Sequence, residues 1–297
     1  MKSPYYINQE SNPAVLSTKK AIEHALHEEG ISLTIPDEHT GVTGLYPDNL
    51  RINKLAYAVI DQYDMPAVRT WYKYGQYEPY DELTPEGLEI SQVRELGEYV
   101  FSSWRSDLTV RDLVDYLQQF DLKKLFEMDL FEFLKTNYEG FASDTFEPIY
   151  LSSTEIIRVL EEIADAPFGK IEQQIPDWRA TIEREALDLN YWIRELEHFP
   201  STVSERLSSF LTMLEDALIS IESQAGEVSE NTYKALLGAR ETYHEYAWPF
   251  TAMYISVKEI DGPDDEVEGY QRRGDSIIQD LERRSKTHLK GWKQELH

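Results

Sequence analysis

The chain has 297 residues, room for one large domain or two ordinary ones, and its 41% apolar content with 12% aromatic excludes a wholly disordered protein. Asp and Glu number 55 against 29 Lys and Arg, a formal charge of −26. Cysteine is absent, which excludes a disulfide framework, a thiolate nucleophile and a cysteine-based metal site, and leads us to expect a cytoplasmic location.

The acidic residues are dispersed through every segment rather than gathered in one tail. In ordinary buffer that much like charge repels itself and opposes compaction. At molar salt the screening length falls to about 3 Å, from about 10 Å in dilute salt, and the repulsion is muted. The pattern resembles that of haloarchaeal acidic proteins. The opening residues MKSPYYINQE lack the apolar stretch of a secretory signal. The longest charge-free apolar run, 246–257, is far shorter than the roughly 20 residues of a spanning helix, so no membrane association is expected.

In chain order, the pattern predicts a first helix over 15–29, with Ile22, Ala25 and Leu26 on one side and Gly30 ending it. Glycine and proline breakers make 31–48 a loop. A second helix covers 50–63 with Leu55, Val59 and Ile60, and 66–80 is aromatic and turn-rich. Thr84-Pro85 has the form of a helix start, predicting a helix through Val93, Leu96, Val100 and Trp104. Thr109, with Asp112 three residues on, opens another, and 122–138 follows as helix almost without a break. The helical period lapses over 139–151, the expected domain boundary. Ser152 and Glu155 have capping-box spacing. Pro176 then starts a helix that Pro200 ends, and Leu207, Phe210, Leu211, Leu214, Leu218 and Ile221 form a core-facing stripe on the next. A long helix over 230–260 should bend at Pro249, and a last helix spans 266–296. The expected fold is all-α, with an N-terminal helical domain over 1–145 and a C-terminal bundle of long antiparallel helices over 146–297.

Chemistry-bearing patterns are few. Glu195-x-x-His198 and Glu241-x-x-His244 each match half of a carboxylate-bridged di-metal bundle site. In a chain this rich in Glu such spacing arises by chance, and the two halves should not lie level. No metal and no cofactor is therefore expected. His24 and His27 are read as solvated. No glycine-rich phosphate loop, Gly-x-Ser-x-Gly elbow or His-Glu-x-x-His helix occurs. No catalytic residue is assigned, and the protein is read as a non-enzyme.

Two features suggest binding. Arg283, Lys286, Lys290 and Lys293 fall within about 80° of one another on a helical wheel, beside an apolar arc of Leu281, Leu289, Trp292 and Leu296. That basic edge either pairs with acidic helices of its own bundle or docks an acidic partner or nucleic acid. After the second helix, Trp71, Tyr72, Tyr74, Tyr77 and Tyr80 crowd ten residues, and such rings either anchor a protein interface or close the core between the second and third helices. Trp71, Tyr74 and Tyr77 are the partner-binding candidates there.

The run Arg51-Ile52-Asn53-Lys54-Leu55-Ala56-Tyr57, followed by Trp71-Tyr72-Lys73-Tyr74-Gly75-Gln76-Tyr77-Glu78-Pro79, resembles the Panacea-type domain over roughly 50–80, with Gln76 where that turn carries proline. The resemblance implies a mainly helical, antitoxin-associated module that binds proteins and has no catalytic residues to carry over. The resulting expectation is a non-enzymatic regulatory or interaction protein with a protein partner. A DNA-associated regulator using the basic edge is the alternative, a di-metal enzyme is a distant third, and homo-oligomerisation stays open.

Overall fold

A computed structural model describes residues 13–32, 47–65, 67–72, 75–77, 99–101, 105–142, 144–167, 171–196, 199–223, 230–262 and 264–296. The protein is all-α, and the only strands among the described residues form two short hairpins. The helices are α1 (Pro13–Glu28), α2 (Pro47–Gln62), α3 (Val110–Leu117), α4 (Leu122–Glu127), α5 (Leu130–Phe141), α6 (Glu147–Asp165), α7 (Ile175–Glu195), α8 (Ser201–Ser223), α9 (Glu230–Thr242), α10 (Trp248–Lys258) and α11 (Asp264–Leu296). The strands are β1 (Thr70–Tyr72), β2 (Gly75–Tyr77), β3 (Tyr99–Phe101) and β4 (Arg105–Thr109), paired antiparallel as β1–β2 and β3–β4. Among the described residues no helix is long and apolar enough to cross a membrane.

Whereas the sequence suggested a single cut near residue 145, Met1–Phe133 groups with Val257–Arg273 in one compact unit, and Leu134–Ser256 with Gly274–His297 in the other. The first unit owes its late segment to Asp261. The Arg69 and Asp261 backbones exchange hydrogen bonds, each 2.9 Å, and the Arg69 guanidinium lies 2.5 Å from the Asp261 carboxylate. Gly262 follows at φ 140°, where a Cβ would come 2.9 Å from Val68 Cα, so only glycine fits this approach.

In the first unit α1 and α2 stop in the same way. Ile31 N–H bonds the Leu26 carbonyl at 2.9 Å and Gly30 N–H the His27 carbonyl at 3.0 Å, with Gly30 at φ 68°. After α2, Met65 N–H bonds Ile60 and Asp64 N–H bonds Asp61, with Asp64 in the left-handed region at φ 47°. Both endings satisfy carbonyls that a helix C-terminus otherwise leaves open. Ile22, Ile52, Val59, Ile60, Leu113 and Leu117 fill the core between α1, α2 and α3. Thr109 caps α3 as expected: its hydroxyl and the Asp112 carboxylate exchange bonds with each other's backbone N–H.

Several local expectations need correction. Residues 99–101 are strand, not the helix expected through Val100, because they pair with β4 (Tyr99 opposite Thr109, Phe101 opposite Arg105); the rest of that expected helix lies outside the described residues. The helix expected over 122–138 is two, α4 and α5, with Asp129 accepting from the backbone N–H of Phe131 and Glu132 to start the second. Ser152 and Glu155 open no helix. α6 has been running since Glu147 with Pro148 in its first turn, and Ser152 is buried mid-helix.

In the second unit α6 packs on α7 and α7 on α8. Trp178 Nε1–H donates to Glu162 Oε2 at 2.9 Å across the first pair, and Arg179 meets Glu222 at 2.9 Å across the second. The whole predicted α8 stripe is buried. The helix expected over 230–260 is interrupted by a π-turn at Tyr243–Ala247, just before Pro249. A regular turn would set the Pro249 ring against the Glu245 carbonyl, and the wider turn sits directly before it. Trp248 N–H accordingly bonds the Tyr243 carbonyl, five residues back. Rings five apart would point about 140° away from each other in a regular helix. Here Tyr243 and Trp248 stack 6.3 Å apart at 3°. They form the middle of an aromatic chain that runs Trp292, Phe210, Tyr243, Trp248, Tyr150, Tyr138 through the core.

Candidate functional site

Two polar constellations in the second unit merit comparison. The first is buried at the π-turn. Glu161 on α6 takes a 2.9 Å ion pair from Arg240 and lies 3.6 Å from His244 Nε2, while Tyr243 shares a 3.0 Å hydroxyl bond with Ser153. Burial raises the Tyr243 hydroxyl well above the usual tyrosine range, the Ser153 bond opposing it. His244 is enclosed and faces Glu161, whereas Glu241 is exposed, so the Glu241-x-x-His244 pair does not converge on one ion. Glu195 is exposed too, and His198 lies outside the described residues. The cluster joins α6 to α9 and the π-turn.

The second constellation is open. From Gly274 onward α11 leans on the bundle through large side chains. Trp292 stacks on Phe210 of α8 at 5.1 Å, and His288 stacks on Tyr246 at 3.8 Å. With the Thr242 hydroxyl donating to the Gly238 carbonyl at 2.8 Å, His288 Nε2–H is the donor in its 3.1 Å bond to Thr242. Leu281, Leu289 and Trp292 are buried, as the apolar arc required, and Arg283, Lys286, Lys290 and Lys293 are all exposed.

The basic edge is only partly neutralised by its own fold. Arg283, 79% exposed, is bound to Asp280 one turn earlier at 2.6 Å. Arg284 is drawn toward Asp280 and lies over the Tyr246 ring. Lys286, Lys290 and Lys293 form no ion pair with any described residue, so self-pairing does not account for them.

Lys290 and Lys293 line a groove of about 810 Å³ between α8 and α11. Its base is Ala217 and Leu289, with Met213 beside them, and Ser208, Ser209 and Thr212 line the α8 side. Arg194 of α7 and Arg206 of α8 add two more cations; Arg206 is 3.9 Å from Glu282. Sequence periodicity on one helix could find the lysines. It could not find Arg194 and Arg206, which reach the same groove from other helices.

The aromatic candidates belong to the first unit. The β1–β2 hairpin puts Trp71 opposite Gln76 and Tyr77 opposite Thr70, while Tyr74 and Tyr80 lie outside the described residues. In the helix that precedes them, Arg51 and Lys54 are buried. Arg51 Nε donates to the Leu125 carbonyl at 2.9 Å and Nη2 to that of Met128 at 2.6 Å, closing the C-terminus of α4, and Nη1 meets Asp48 at 3.2 Å. Burial pushes the Lys54 ammonium well below the ordinary lysine range. These two buried basic residues belong to the framework of the unit. His24 bonds Glu28 at 2.8 Å on the surface of α1.

No curated protein and no solved structure matches the chain significantly. One family model does match it, described as a domain of unknown function (DUF8098), over residues 81–297, which takes in most of the first unit's later elements and the whole second unit. The chain belongs to that DUF8098 family.

Proposed function

We propose that this protein is a non-enzymatic interaction protein that docks a protein partner on the basic edge of α11, in the cytoplasm of a salt-adapted, haloarchaeal-type cell. The observation that carries the reading is the trio Lys286, Lys290 and Lys293, exposed and without an ion pair among the described residues of a chain with charge −26. With 55 carboxylates available, three cations on one edge left unmatched by their own fold offer contact ion pairs to an acidic surface, the only electrostatic attraction left where the screening length is about 3 Å. The Panacea-type resemblance over 50–80 supports the same class, an antitoxin-like regulator that works by binding, with Trp71, Tyr74 and Tyr77 as a second candidate contact.

The test is affinity capture at high salt with wild type and with Lys286→Glu/Lys290→Glu/Lys293→Glu. The expected result is a stoichiometric protein partner retained by wild type and lost by the variant, at an unchanged unfolding midpoint. Nucleic acid as the species lost would replace this reading with the DNA-associated one. A partner set identical for both proteins would refute the docking edge.

A further inference from the structure

We propose that the groove between α8 and α11 receives one acidic amphipathic helix of the partner protein. This rests on the reading just given and adds what the partner must present. The groove is lined by four cations, Arg194, Arg206, Lys290 and Lys293, and two carboxylates, Glu205 and Asp216, with a third carboxylate, Glu282, 3.9 Å from Arg206. Its α8 wall runs from Glu205 to Ser220, roughly 22 Å at the helical rise, the length of about four helical turns. Met213, half-buried beside the buried Ala217 and Leu289, leaves apolar surface in the groove that a bare polyanion would not use.

The two carboxylates decide between anionic partners. Glu205 and Asp216 stand eleven positions apart on the same wall. An evenly charged phosphate backbone lying along the wall would meet both, whereas a peptide can place neutral or basic side chains opposite them and carboxylates opposite the cations. A further feature calls for apolar residues in the occupant. Leu187 and Tyr191 on α7 are 68% and 57% exposed, and with Arg194 they fall within about 60° on the helical wheel. They form an apolar shoulder on the helix that lends Arg194 to the groove. An amphipathic helix with one acidic and one apolar face meets both demands, in the helix-in-groove mode of recognition.

The probe is a displayed library of random peptides about six helical turns long, selected on the full-length protein in high salt. Two variants accompany wild type: Lys290→Glu/Lys293→Glu, which reverses the cations, and Thr212→Trp, which fills the groove from an exposed position without changing charge. Enriched peptides are expected to be acidic with leucine-like residues at helical spacing, and to bind each variant at least about tenfold more weakly. Enrichment of basic or uncharged peptides, or no enrichment over the charge-reversed variant, overturns the proposal. So does a DNA duplex that binds with the same dependence on both variants, or self-association, measured by sedimentation, that Thr212→Trp abolishes. A captured partner lost with the lysines but retained by Thr212→Trp would leave the docking edge standing and empty the groove.

Discussion

Replacing Arg51 by Met should destabilise the first unit by about 3 kcal/mol, because the aliphatic stem is kept and the guanidinium is lost. The Leu125 and Met128 carbonyls have no further helical turn to bond, and Arg51 supplies both with charged donors at 2.9 and 2.6 Å. Net contributions of such bonds run to about 1.5–3 kcal/mol each and do not add fully. Two such bonds, offset by the cost of burying the guanidinium, leave about 3 kcal/mol, a large share of the roughly 5–15 kcal/mol that holds a domain together. The Asp48 carboxylate also loses its partner at 3.2 Å, and the guanidinium no longer lies over the Phe126 and Phe133 rings. Urea unfolding in molar KCl gives the total, and amide exchange in α4 locates it. Arg51→Lys should recover less than half, since an ammonium cannot reproduce the fork. A loss below about 1 kcal/mol for Arg51→Met would refute the view that this residue closes α4.

Gly262→Ala should destabilise the same unit, since Cβ would come 2.9 Å from the Val68 backbone at φ 140°, and a thermal midpoint equal to wild type would contradict the approach described. Burial raises the Tyr138 and Tyr243 hydroxyls far above the unfolded value of about 10, so folding keeps them protonated. The stability this gives is complete below pH ~10 and is lost as pH rises above it. Alkaline difference spectra should therefore show these two ionising only together with unfolding, and their reversible titration in the folded protein would count against it. The unfolding midpoint should rise with KCl up to molar concentrations, because −26 charges are screened, and a falling midpoint would remove the salt-adaptation argument.

What could be read from the sequence was whatever is local. The stripe from Leu207 to Ile221 has three- and four-residue steps, and any helix carrying it must bury that face. The Thr109–Asp112 box was legible for the same reason. Its counterpart at Ser152 and Glu155 has the same letters, yet Pro148 had already started the helix, so a capping pattern marks a start only where nothing precedes it. The strand at 99–101 depends on a partner at 105–109, and a three-residue hairpin arm has too few positions to show alternation. The return of 257–273 to the first unit rests on Asp261 meeting Arg69, nearly two hundred residues away, which no local pattern reports. Pro249 announced a disturbance, but its form, a π-turn that brings Tyr243 onto Trp248, required the ring stack that it completes. The lysine edge was likewise visible on one helix, while the groove beside it was assembled from three.

The most direct test of the docking edge is site-specific photo-crosslinking with a reactive side chain in place of Lys286, an exposed position on α11. Adducts should form with a single protein in cells at native salt and disappear when Lys290→Glu/Lys293→Glu is added, while the same side chain in place of exposed Asp275 gives none. Adducts that persist after the charge reversal, or that carry nucleic acid in place of protein, would contradict the account.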